Sequence, residues 1–390
     1  MTLRRMMLAM LMAGLLLPGC TTIKGWFKGE PKPGEPKELV EFEPTLKTDK
    51  LWSVDVGDGI RHGAQQLHPA ARNGRIFMAD YKGELIAVDA ESGKRLWQIK
   101  TKLPFSGGPG VTDTLVLVGT EDGEIHAFQA DTGTPVWIAR ISSEVLAAPV
   151  ESDGIVVVRS IDGRVFGLDA RNGRRVWVYD HSVPLLTLRG EDNPLIRAGL
   201  VYLGYDNGAV VALKLTDGTL LWEQAVANNE GRTELDRLAD IDGRMMFIAS
   251  DLLVASYKNR LASLAADSGR LLWFKEISSY SGVDIDRTNL AVSDKEGNVW
   301  LLDRRNGTTQ WKQDQLENRG LTRPVIFGGY VVVGDFEGYL HWLSLADGRF
   351  AARTKLGGDG FAGAPFVVGN TLYACTMKGE LVALRAGSPL

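Results

Sequence analysis

The sequence predicts an all-β protein, an eight-bladed β-propeller of four-stranded antiparallel blades. Three observations carry this expectation. One strand–turn–strand motif recurs eight times over residues 51–390. Its glycines and tryptophan keep nearly fixed internal spacing. The eighth copy stops before its tryptophan strand, and a segment at the other end of the repeat region matches the missing piece. A repeat period of 38 to 51 residues falls in the range of propeller blades and some solenoids.

Each element has a local reason. Asp162-Gly-Arg-Val-Phe-Gly-Leu-Asp-Ala-Arg-Asn-Gly-Arg-Arg-Val-Trp177 typifies the motif. Its first glycine recurs at Gly83, Gly123, Gly163, Gly208, Gly297, Gly338 and Gly379, with Asn259 once in the same slot. The second follows at Gly93, Gly133, Gly173, Gly218, Gly269, Gly307 and Gly348, and more loosely at Gly387. Val165-Phe-Gly-Leu168 is a short apolar run between turn signals, too short for a helix. The Asp/Asn-Gly and Ser/Thr-Gly pairs are turn chemistry. A further apolar run precedes each motif, as in Ile155-Val-Val-Val158 and Tyr330-Val-Val-Val333, so the unit is a meander of about four strands. Trp97, Trp137, Trp177, Trp222, Trp273 and Trp311 follow the second glycine by four residues, and Ala352 takes that place in the seventh copy. A large ring once per unit is expected to pack between neighbouring sheets. Leu51-Trp-Ser-Val-Asp-Val56 matches the tryptophan strand. It is expected to complete the last blade, closing the ring and removing its open edges.

The N-terminus reads as targeting sequence over residues 1–19. Arg4 and Arg5 precede the short apolar stretch Met6–Leu17, which is too short for a confident membrane span. Leu17-Pro-Gly-Cys20 resembles a bacterial lipobox, so Cys20 is expected to carry lipid, with Thr21 favouring the outer membrane. Pro31, Pro33, Pro36 and Pro44 lie among charged residues, and residues 20–50 are expected to form a semi-extended tether. The propeller is expected over 51–390. Cys375 is the second of two cysteines. With Cys20 lipidated it has no partner, and it reads as a buried thiol.

Composition narrows the function. Net charge is −4, and loss of Arg4 and Arg5 with the leader would make it −6. No long basic run occurs, which argues against nucleic-acid binding. His62, His68, His126, His181 and His341 lack zinc-type spacing. Neither a P-loop nor a G-x-S-x-G motif is present. No catalytic residue, cofactor or metal is expected.

The Ala-Leu-Asp-Ala-x-x-Gly-x-x-x-Trp pattern resembles the PQQ-type propeller repeat, shared with quinoprotein dehydrogenases. Leu186-Thr-Leu-Arg-Gly-Glu191, Thr233-Glu-Leu-Asp-Arg-Leu-Ala-Asp-Ile-Asp242 and Gly334-Asp-Phe-Glu-Gly-Tyr-Leu-His-Trp342, with the lipobox, resemble the BamB family of outer-membrane β-barrel assembly lipoproteins more closely. The resemblance implies a non-enzymatic scaffold of the BAM complex on the periplasmic face of the outer membrane. It implies binding to a POTRA domain of BamA and to other BAM components, and help in inserting unfolded barrel proteins, with strand addition to a propeller edge as a possible mechanism. The alternative is a quinoprotein oxidoreductase or a small-molecule-binding propeller. Quinoproteins usually carry a vicinal cysteine pair, which Cys20 and Cys375 cannot form.

The residue spacing points to two of the same segments. Tryptophan intervals are 40, 40, 45, 51, 38 and 41 residues from Trp97 to Ala352, and 45 from Trp52 to Trp97. Two adjacent long intervals hold the Leu-Arg-Gly and Asp-Arg-Leu segments, and insertions in a regular scaffold become loops. Both are expected on one rim. Leu186, Leu188 and Arg189 read as an apolar-plus-guanidinium anchor. Asp240 and Asp242 either orient Arg189 or pair with a partner's basic group. The competing reading makes the aspartates turn caps and the leucines core.

Overall fold

A computed structural model describes residues 34–57, 59, 66–181, 193–227, 241, 243–258 and 260–389. Eight antiparallel sheets follow one another along the chain. Blade 1 runs from Ala70–Arg72 to Arg95–Lys100, blade 2 from Phe105–Val111 to Pro135–Arg140, blade 3 from Val150–Ser152 to Arg175–Tyr179 and blade 4 from Leu195–Arg197 to Leu220–Ala225. Blade 5 runs from Met246–Ile248 to Leu271–Lys275, blade 6 from Val283–Ile285 to Thr309–Gln313 and blade 7 from Val325–Phe327 to Phe350–Lys355. Blade 8 combines Phe366–Val368, Thr371–Cys375 and Glu380–Pro389 with the N-terminal strand Leu46–Asp55. The first strands of neighbouring blades approach one another and line the centre of the ring. The middle strands of each blade are almost wholly buried and alternate their side chains between the two flanking interfaces.

Closure follows the expected route. Leu46–Asp55 pairs antiparallel with Glu380–Pro389, from Leu46 opposite Pro389 to Asp55 opposite Glu380. The strand begins at Leu46, inside the segment expected as tether. Gly387 is not a turn glycine: it lies within Glu380–Pro389, because the outer strand comes from the N-terminus and the chain has no turn to make there. Blade 2 also departs from the four-strand plan. Gln66–Leu67 adds to its inner edge, parallel to Gly107 and Gly108.

The tryptophans lock each blade to the next. Trp137 donates its indole N–H to Ala170 O at 2.8 Å and Trp177 to Leu215 O at 2.8 Å. The ring lies against the turn glycine of the following blade. Gly173 has φ +70°, and a Cβ there would sit 2.5 Å from the Trp137 ring, so conformation and space both demand glycine. Opposite the tryptophan on the adjoining strand stands a small residue in six blades: Ala87, Ala127, Gly167, Ala212, Ser263 and Ala383 face Trp97, Trp137, Trp177, Trp222, Trp273 and Trp52, whereas in blade 6 Leu301 faces Trp311. Blade 7 exchanges the pair. Trp342, fully buried, stands opposite Ala352, so the large ring persists on the neighbouring strand.

Strand alternation places two kinds of connection on one face. The turn between the second and third strands of a blade meets the connection to the next blade: Thr101 N–H bonds Gly83 O, Ile141 N–H bonds Gly123 O and Val226 N–H bonds Gly208 O. Insertions between blades therefore emerge on this face.

Candidate protein-docking site

Leu186, Leu188, Arg189, Asp240 and Asp242 lie outside the described residues, as do Cys20 and His62. Their immediate supports are described. Residues 182–192 join blade 3 to blade 4, and residues 228–240 join blade 4 to blade 5. The described ends of both connections, His181 and Ala227, lie on the face just defined in neighbouring blades.

One aromatic residue serves the roots of both. Tyr205 opens the turn between the second and third strands of blade 4 and is 1% exposed. The His181 ring, last before the first connection, stacks on it with centroids 3.8 Å apart and planes 24° apart. Ile241, at the end of the second connection, donates its N–H to Tyr205 O at 3.3 Å and is buried with Tyr202 and Val226. The Arg159 guanidinium lies 4.7 Å from the Tyr205 ring centroid. It donates to Gly204 O at 2.7 Å and approaches Asp206 Oδ1 at 3.4 Å. Burial pushes the Asp206 carboxyl above its usual range, and Arg159 acts in the opposite direction. At the other root of the first connection, Asn193 Oδ1 accepts the Ala148 N–H at 2.6 Å.

This foundation is buried, aromatic and charge-paired. It ties the described ends of the two connections to one buried residue. Sequence reasoning found the two long connections and missed the foundation, although a signal existed. Where blade 4 has Tyr205, the other copies carry Asp80, Thr120, Ser160, Ser256, Asp294, Asp335 and Thr376. Where blade 3 has Arg159, they carry Ala79, Gly119, Gly204, Ala255, Ser293, Gly334 and Cys375. Both are large residues at positions the repeat keeps small.

Other chemistry-bearing groups are placed plainly. Cys375 is buried, and burial pushes its thiol up to about 12. His68 Nδ1 lies 2.7 Å from Ala362 O. Among the described residues no group of three His, Cys, Asp or Glu side chains is arranged to hold a metal ion.

The fold and its repeats define the class: an eight-bladed propeller of PQQ-type repeats. The family profile described as "Outer membrane protein assembly factor BamB" matches residues 45–103 and 82–313. The Pseudomonas aeruginosa outer membrane protein assembly factor BamB is 50% identical over 375 residues, spanning 96% of this chain and 97% of its own. The crystal structure of BamB from Moraxella catarrhalis aligns with TM-score 0.80 at 28% identity, over 87% of this chain and 100% of its own. A quinohemoprotein alcohol dehydrogenase from Comamonas testosteroni shares the fold alone, with TM-score 0.68 at 14% identity over 88% of this chain and 78% of its own. The chain belongs to the BamB family of outer membrane protein assembly factors.

Proposed function

We propose that this chain is a non-enzymatic scaffold of the outer-membrane β-barrel assembly complex, held on the periplasmic face by lipid on Cys20. Leu186, Leu188 and Arg189 dock on a POTRA domain of BamA, with Asp240 and Asp242 beside them. The observation that supports this most is family membership along nearly the whole chain, at 50% identity to a named assembly factor. The shared footing of the two connections on Tyr205 agrees with a composite docking surface. Residues 1–19 act as leader, and the segment after Cys20 links lipid to propeller. Unfolded barrel proteins are the proposed cargo. Exposed Val136, Ile138, Val176 and Val178 on the outer strands of blades 2 and 3 offer apolar edges to which an extended segment can add.

The test is extraction in mild detergent, cross-linking and pulldown. It should recover a large barrel protein of the BamA type together with unfolded barrel clients. Recovery without BamA removes the complex assignment, and recovery without clients removes the cargo. In the same cells Cys20→Ala should move the protein to the soluble periplasm. Retention at the outer membrane without its partner complex would contradict the lipid anchor.

A further inference from the structure

The Gly334–Trp342 segment has no part in the docking surface, yet it builds the most heavily charged buried cluster in blade 7. Asp335 and His341 have fully buried side chains. His341 Nε2 lies 3.0 Å from Asp335 Oδ2, and Arg319 Nε donates to the same oxygen at 2.8 Å. Arg353 Nε points at His341 Nδ1 at 3.3 Å. This fixes the imidazole as neutral, with Nε2 donating to the carboxylate and Nδ1 accepting from Arg353. Glu337 also pairs with Arg319.

Both guanidiniums reach past this cluster to the main chain of residues 35–45. Arg319 Nη1 donates to Lys37 O at 3.1 Å, and Arg353 Nη1 donates to Val40 O at 3.1 Å. Asn318 Nδ2 donates to Glu35 O at 3.2 Å. Lys37 N–H bonds Glu317 O, and Thr45 N–H bonds Ala351 O. The Phe42 ring stacks on Phe350 at 5.3 Å, with Arg353 5.1 Å from the Phe42 centroid. Leu39 packs against the core between blades 6 and 7. Three side-chain donors thus grip carbonyls, which any sequence supplies, while Leu39 and Phe42 set the register.

We propose that Arg319 and Arg353, positioned by the buried Asp335–His341 pair, form a binding site for an extended main chain. Its occupant is residues 35–45, held as a strap separate from the ring-closing strand. The strap runs from Glu317 and Asn318, on the face where interblade insertions emerge, along the outside of blade 7 to Ala351. There the chain turns back as Leu46–Asp55. The site fixes where the N-terminal arm leaves the propeller, beside the blade 6–7 connection. The blade 6–7 connection lies three blades round the ring from the blade 3–4 connection and two from the blade 4–5 connection, so the arm leaves the same face as the proposed docking loops but to one side of them. That last consequence rests on the proposed function; the strap itself does not.

Hydrogen exchange on the full chain tests it. In the wild type the Lys37 and Thr45 amides should be protected. Arg353→Gln keeps a polar side chain but removes the guanidinium, and should speed Lys37 exchange about tenfold or more, the factor set by one charge-assisted hydrogen bond. Amides of Leu46–Asp55 should keep their protection. Phe42→Ala, which leaves the buried cluster intact, should act in the same direction and covers a failure of the first variant to fold. Cys20→Ala should change nothing in this region, so the result is independent of lipidation. Unchanged Lys37 exchange in Phe42→Ala and in a folded Arg353→Gln would overturn the strap site. So would loss of strap protection only together with that of Leu46–Asp55.

Discussion

Blades 3 to 5 and blade 7 are copies of one repeat put to different uses. Blades 3 to 5 keep the outer-strand tryptophan and lengthen the connections between blades, footed on Tyr205 and Arg159. Blade 7 keeps short connections, moves its large ring to Trp342, and loads its outer strand with Arg353 to hold residues 35–45. The consensus residues build the fold in both regions, and the departures from consensus mark what each region does. In a repeat protein the informative residues are those that break the period at positions where the other copies agree.

The largest effect should come from the seam that both regions depend on. Deleting residues 379–390 removes the strand that pairs with both Leu46–Asp55 and Thr371–Cys375. Cooperative melting of the whole propeller should be lost. A deletion chain that melts at the wild-type temperature would show that the seam does not hold the ring.

The exchanged pair in blade 7 gives the next effect. Trp342→Ala should cost about 3–5 kcal/mol, the usual range for removing a large buried aromatic. Ala352→Trp alone should cost about 1–3 kcal/mol through overpacking. The double variant should restore the common blade plan and recover part of the Trp342→Ala loss in chemical denaturation. Strictly additive losses would mean that the two positions do not share one space.

A smaller effect separates the regions by pH. Burial lowers the His341 pKa below 6.5; Asp335 opposes that shift, and Arg353 and Arg319 reinforce it. A histidine with a depressed folded pKa contributes stability that is present above its unfolded value. That contribution is lost as pH falls through the folded value. His341→Gln can still donate to Asp335 and accept from Arg353, but it does not titrate. Its loss of stability between pH 7 and pH 5 should be smaller than the wild type's, with the difference confined to blade 7 amides. Equal losses in the two proteins would remove His341 from the account.

The propeller was legible because its signals are periodic. Glycine-bearing turns, apolar middle strands and the Leu51–Val56 complement each repeat a local rule, and the ring adds only closure. The strap was not legible. Pro36, Pro44 and the charged residues around them read as solvated tether, and nothing local announces that Arg319 and Arg353, some three hundred residues away, take up their carbonyls. The long connections at 182–192 and 228–240 were legible as insertions by spacing alone. Tyr205, His181 and Arg159 were not, because their roles arise from contacts between blades. The blade 7 exchange was half legible: Ala352 broke the pattern, but the register that places Trp342 opposite it comes only from the fold.

The central claim is that the first of these insertions docks a partner, with Arg189 at its heart. Its most direct test measures BamA POTRA binding and thermal melting of Arg189→Glu on the same preparation. Arginine's planar fork can hold a carboxylate bidentately, and reversing a central interfacial charge should weaken binding by about 2–5 kcal/mol. Stability should stay within about 0.5 kcal/mol of wild type, as for an exposed side chain. Binding lost with melting preserved is the predicted result. Binding preserved would remove Arg189 from the interface, and a collapse in melting would make it a structural residue instead.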